Sequence, residues 1–284
     1  MAPLPDDRYS LPFLWGGARF VPTSPWGTSW DRPHPSGDVV LRTVERKDRF
    51  ARGIWETSTG RLVRFLKEAE DALWTPDGAH VVTIDASLIV TVSTWPGLAV
   101  EAERTLAFDA GAGVGGAELA LSHDGRLASA WMFSGQSEEG FALFSIPGIE
   151  TLASLPYVQG ESATPCLFSP DDRWVALVRE PDPIWWTLGD DRDWDTPTEG
   201  GRVHWATLHL QATAGDRRRL EHPILVDVPR GWFPPEELAG ATWPRNVRFE
   251  GPARLGFDLP WGGSFVFEVP PEGPCVAPGP APRT

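Results

Sequence analysis

Lysine is nearly missing from this chain: of its 25 basic residues only Lys47 and Lys67 are lysines, and the formal charge is −14. So acidic a chain repels phosphate backbones, which excludes generic nucleic-acid binding. The one basic run, Arg217-Arg218-Arg219, is short and reads as a solvated turn. Cysteine is scarce too. Cys166 and Cys275 cannot make a disulfide framework, and they fit a reducing cytoplasm, with Cys166 expected on a buried strand. No apolar run approaches the length of a membrane span, and residues 1–7 lack the basic start and apolar core of a secretion signal. The expectation is a cytoplasmic chain with no membrane contact.

Reaction signatures are also wanting. There is no Gly-x-Ser-x-Gly and no phosphate loop. His34, His80, His123, His204, His209 and His222 include no pair at zinc-site spacing with a third ligand nearby. Residues 111–116 are glycine-rich but precede a strand-like run, not a helix, which argues against a dinucleotide loop. Neither a cofactor nor a metal is expected.

What is present is a repeat. Leu73-Trp74-Thr75-Pro76-Asp77-Gly78, Ala120-Leu121-Ser122-His123-Asp124-Gly125 and Leu167-Phe168-Ser169-Pro170-Asp171-Asp172 align without gaps at intervals of 47 residues. Pro presets a turn's φ, Asp bonds backbone groups ahead of it, and Gly tolerates positive φ. Apolar runs stand on both sides, so each copy reads as the turn of a hairpin. A period near 40–50 residues fits one four-stranded propeller blade. Gly and Pro at 29 each match a chain of many turns, and residues 61–71 read as a strand followed by a loop. The 15 Trp suit packing between stacked sheets.

Trp55-Glu56 followed by Thr59-Gly60 is similar to the Trp-Asp dipeptide and Thr-Gly turn of WD40 proteins, and the repeated phrase resembles that family's first hairpin. The resemblance spans residues 18–270. The chain departs from the family in lacking Gly-His pairs before its first strands, and most of its blades lack the dipeptide. It implies an all-β fold, a β-propeller of four-stranded antiparallel blades.

Five blades are counted. The phrase supplies three, Phe249-Glu250-Gly251-Pro252-Ala253-Arg254-Leu255 is a degenerate copy, and residues 18–21 followed by Val39-Val40-Leu41 open another. A sixth fits if residues 172–249 hide a shrunken one. The ring is expected to close by an N-terminal strand from residues 9–15. Residues 1–270 form one domain with an insertion at about 180–201, and residues 271–284 read as a disordered Pro/Gly-rich tail.

The candidate binding residues are aromatic and acidic. Trp185, Trp186, Asp191, Asp193, Trp194 and Asp195 lie in the insertion, where Trp and charge together resemble an interface anchor. Asp191, Asp193 and Asp195 alternate as in calcium loops, but the Gly and the bidentate Glu such loops need are missing. Trp232 and Phe233 form a second aromatic stretch. The reading is a non-catalytic scaffold for a protein partner. Two alternatives stay open: a hydrolase or glycosidase with carboxylates lining the central channel, and a carbohydrate-binding module with Trp platforms.

Overall fold

The repeated phrase folds three times into one turn. In the first copy Thr75 Oγ1 donates to Asp77 Oδ1 at 2.6 Å and accepts from His80 N at 3.0 Å, while Asp77 Oδ1 accepts from Ala79 N at 2.9 Å. Ser122 with Asp124, and Ser169 with Asp171, repeat this pattern. Each turn needs a left-handed residue, supplied by Gly78, Gly125 and Asp172 at φ of 70°, 72° and 55°. A fourth version at residues 34–38 escaped the sequence pattern. There His34 Nδ1 and Ser36 Oγ, 2.8 Å apart, stand in for the hydroxyl and carboxylate, and Gly37 takes φ 77°.

The computed structural model describes residues 14–15, 18–19, 31–46, 49–66, 68–107, 116–133, 138–159, 161–163, 166–181, 203–215, 217–226, 245–259 and 262–269. They form an all-β propeller. A small hairpin, β1 (Leu14–Trp15) and β2 (Ala18–Arg19), precedes five antiparallel sheets. Sheet 1 is β3 (Arg32–Pro33), β4 (Val39–Arg46), β5 (Arg49–Glu56) and β6 (Leu62–Leu66). Sheet 2 is β7 (Ala69–Trp74), β8 (His80–Asp85), β9 (Ile89–Thr94) and β10 (Val100–Thr105). Sheet 3 is β11 (Gly116–Leu121), β12 (Leu127–Phe133), β13 (Glu138–Ser145) and β14 (Thr151–Gln159). In sheet 4, β15 (Glu161–Ala163) and β16 (Leu167–Phe168) share the first position, followed by β17 (Trp174–Pro181), β18 (Val203–Ala212) and β19 (Arg219–Val226). Sheet 5 is β20 (Arg245–Gly251), β21 (Arg254–Asp258) and β22 (Ser264–Glu268).

One hydrogen bond recurs in all five sheets and marks them as copies of a unit. The amide following the third strand donates to the last carbonyl of the first hairpin turn: Thr57 to Asp38, Trp95 to Ala79, Ile146 to Arg126, Thr213 to Arg173 and Val269 to Ala253, at 2.7–3.1 Å. The first strands of sheets 2 and 3 are buried on both faces while outer β10 is largely exposed, so the first strands line the middle.

The core lies in the seams between sheets. Leu41, Ile54 and Trp74 fill the seam of sheets 1 and 2; Ile84, Val90, Met132 and Phe144 that of 2 and 3. Trp131, Phe141 and Val175 pack between 3 and 4, and Leu208, Ile224, Leu255 and Phe257 between 4 and 5. Residues alternate between seams: Leu119 faces sheet 2 while Ala120 faces sheet 4, as the pleat of a strand dictates. Full burial of each large side chain contributes roughly 1.5–3 kcal/mol.

At one end of the ring, the hairpin end, successive first turns touch. His34 Nε2 donates to Gly78 O at 2.9 Å; because that nitrogen carries the proton, Nδ1 accepts from Ser36 N at 3.1 Å. A Cβ on Gly125 would lie 2.7 Å from Pro76 Cδ. Asp172 accepts from His123 N, His123 Nδ1 and Asp124 N at 2.7–2.9 Å. Position four of each turn is thus gripped by the turn before it.

Two sequence expectations need amending. Ala18–Arg19 pairs with Leu14–Trp15, and the first strand of sheet 1 is Arg32–Pro33. Residues 69–71, expected in a loop, begin β7. Trp55 and Glu56 do end β5, and Thr59 Oγ1 donates to the Glu56 carboxylate, but Trp55 Nε1 is buried with no acceptor among the described residues. Of residues 9–15, from which the closing strand was expected, Leu14–Trp15 pair with Ala18–Arg19, while residues 9–13 and the tail at 271–284 lie outside the described residues. No helix among the described residues is long and apolar enough to cross a membrane.

Candidate functional site

All eight residues singled out from the sequence fall outside the described residues: Trp185, Trp186, Asp191, Asp193, Trp194 and Asp195 between Pro181 and Val203, and Trp232 and Phe233 between Val226 and Arg245. Their flanks are informative nonetheless. First-to-second turns sit at the hairpin end, so every second strand runs away from it and every third strand returns. Pro181, the end of β17, and Val203, the start of β18, therefore lie at the opposite, far end. Val226, ending the outer strand, and Arg245, starting the first strand of sheet 5, lie there too. The two segments are rooted in one end of the ring.

A second feature was not foreseen: a charged cluster on the inner wall. Asp71, only 1% exposed, is held from three sheets. Its Oδ1 accepts from Arg32 Nη1 at 2.8 Å and from Ala72 N at 2.9 Å, with Arg52 Nη2 at 3.5 Å. Its Oδ2 accepts from Leu119 N, on the first strand of sheet 3, at 2.8 Å. Arg32 Nη1 also donates to Ala72 O and Arg52 Nε to Glu70 O. Asp71 is a clamp joining three blades.

Around this clamp the protonation equilibria move. Burial lowers the Arg52 value, against the opposing pull of Asp71. Burial raises Glu70, with Arg52 opposing. Glu118 is raised to about 7, first by burial and then by the Asp71 charge, against Arg32 and Arg52. A carboxyl in that range can hold or release a proton at neutrality. One signal for this pair was legible: Asp71 and Glu118 are 47 residues apart, so an acidic side chain recurs at one repeat position. Nothing local announced Arg32 or Arg52 as partners. Among the described residues no group of three or more His, Cys, Asp or Glu is arranged to hold a metal ion.

No protein-family model matches the chain, and no curated protein matches its sequence. Among solved structures, the dihydro-heme d1 dehydrogenase NirN in complex with DHE aligns with 16% identity and a TM-score of 0.50, over 84% of this chain and 44% of that one. Kuenenia stuttgartiensis hydrazine synthase aligns with 12% identity and a TM-score of 0.36, over 68% of this chain and 65% of that one. The chain thus spans less than two thirds of either. At such identity the likeness to NirN speaks to the propeller fold alone.

Proposed function

We propose that this chain is a WD40-like propeller that acts as a non-catalytic scaffold, holding a protein partner at the far end of its ring. One observation carries the reading: the two segments with exposed-looking Trp and acidic residues are both rooted at that end. Seams packed with fully buried side chains make a rigid base, and loops on a rigid base are where recognition residues concentrate. Trp185, Trp186 and Trp194 would anchor the contact, with Asp191, Asp193 and Asp195 favouring a basic partner surface, and Trp232 and Phe233 would extend it.

The test compares two far-end variants with a hairpin-end control. Replacing residues 182–199 by a short Gly-Ser linker, and separately making Trp232→Ala with Phe233→Ala, is expected to abolish specific cross-linking to the partner while circular dichroism stays unchanged. Asp38→Ala, at the hairpin end, is expected to leave it intact. Cross-linking that survives both far-end changes in folded protein defeats the proposal.

A second reading, a propeller-fold hydrolase, draws on the inner wall, where burial, with Asp71 adding to it, raises Glu118 to about 7. In that reading Glu118 is the proton donor. Hydrolysis of an aryl-glycoside panel that vanishes in Glu118→Gln supports it; hydrolysis unchanged in that variant removes it.

A further inference from the structure

Among the described residues sheet 5 is one strand short of its neighbours, and its outermost strand is β22. Two bonds flanking the β21–β22 ladder, Leu259 N to Gly263 O and Val269 N to Ala253 O, fix which way that strand's backbone faces. Odd-numbered residues from 263 to 269 turn their amides and carbonyls to β21, so those of Ser264, Val266 and Glu268 point outward. Among the described residues nothing pairs with them. A row of unpaired edge groups is a template for one more strand.

The other sheets say where that strand comes from. In each, the residue three before the recurring amide pairs with the residue ten positions on: Ile54 with Arg64, Val92 with Ala102, Leu143 with Ala153 and Leu210 with Leu220. The neighbouring pair spans twelve positions in all four. The hairpin from third to fourth strand thus keeps one length, with a bulge absorbing the extra residue in sheets 1, 2 and 3. In sheet 5 the recurring amide is that of Val269, so the same spacing sets Val276 opposite Val266 and Ala277 opposite Phe265. The turn sequence agrees. Val269-Pro270 stands where Trp95-Pro96 and Ile146-Pro147 open the corresponding turns of sheets 2 and 3.

We propose that the edge of β22 is filled by this chain's own C-terminal segment, residues 275–278 forming the fourth strand of sheet 5. Val266 and Val276 then exchange both backbone bonds. Phe265 and Phe267 face sheet 4, so the two valines meet on the opposite face, where Val276 covers the exposed Val266. Ser264 N donates to Pro278 O, and Pro278, with no amide to return, ends the ladder. The proposal rests on neither functional reading, because pairing within the chain needs no substrate or partner.

The test follows amide exchange and proton NOEs in the full chain, in a chain stopped after residue 270, and in Val276→Pro. In the full chain the Val266 and Val276 amides are expected to exchange on the order of a hundredfold more slowly than exposed amides. An NOE between the α-protons of Phe265 and Ala277, a pair not joined by hydrogen bonds, is expected with it. Truncation and Val276→Pro should both release Val266. The Phe265 and Phe267 amides, bonded to β21, should stay protected and report a folded sheet. Free exchange of Val266 in the full chain overturns the proposal. So does Val266 protection that survives truncation: lost on dilution, it points to a second copy on the edge; unchanged by dilution, to another segment of this chain. If the shortened chain does not fold, absence of the Phe265–Ala277 NOE from the full chain overturns the proposal by itself.

Discussion

Gly125→Ala isolates the contact between neighbouring turns. Gly125 has φ of 72°, and an added Cβ would lie 2.7 Å from Pro76 Cδ and 3.5 Å from Cγ. A proline ring cannot rotate out of the way, so the turns of sheets 2 and 3 must separate. Left-handed φ alone costs alanine roughly 1–2 kcal/mol, and forced overpacking adds about 1–3 kcal/mol. Gly37, with φ of 77° and nothing within 4 Å of its would-be Cβ, supplies the control. Gly37→Ala should lose only the backbone part, and Gly125→Ala more by about 1–3 kcal/mol. Urea midpoints at constant m-value measure both. Adding Pro76→Ala to Gly125→Ala should restore much of the difference, read as a coupling energy in a double-mutant cycle. Equal losses at Gly37 and Gly125 would refute the idea that the turns are packed ring-wise.

Asp71→Ala removes the carboxylate shared by Arg32, Arg52 and Leu119 N, and should destabilise by about 3–5 kcal/mol; a loss below about 1 kcal/mol in urea denaturation would place the clamp among weak surface pairs. The turn carboxylates give an acid-side prediction. Asp77 is lowered first by the Thr75 hydroxyl and then by Ala79 N. For Asp124 and Asp171, burial pushes upward but is outweighed by the hydrogen bonds of Ser122 and Arg126, and of Ser169 and Arg173. Depressed folded values mean stability that is present above the ordinary aspartate range and lost as pH falls through the folded values. The triple change Asp77→Asn, Asp124→Asn, Asp171→Asn should flatten the acid limb of the stability profile, and an unaltered slope would count against it.

How much the sequence showed depends on how far each feature reaches along the chain. The turns were legible because their chemistry is local: Thr75 serves residues only 2 and 5 positions on, and Asp77 a residue 2 on. The same locality explains the miss at residues 34–38, where His34 and Ser36 do the work of Thr and Asp with different letters. Strand 69–74 was obscured at its start by Glu70 and Asp71, which look solvated in a linear reading, whereas Glu70 is half-buried and Asp71 buried where Arg32 and Arg52 approach from sheet 1.

The sequence alone determined the repeat, its hairpins and hence an all-β ring, since turn preferences and strand alternation act over a few residues. Tertiary structure alone decided what sits in the seams: that Asp71 is clamped from residues 39 and 48 positions away, that burial raises Glu118, and that two distant segments are rooted at one end. The physical reason is that burial and Coulomb energy depend on distance in space. Only the stacking of sheet upon sheet brings residues 32, 52, 71 and 118 to one wall.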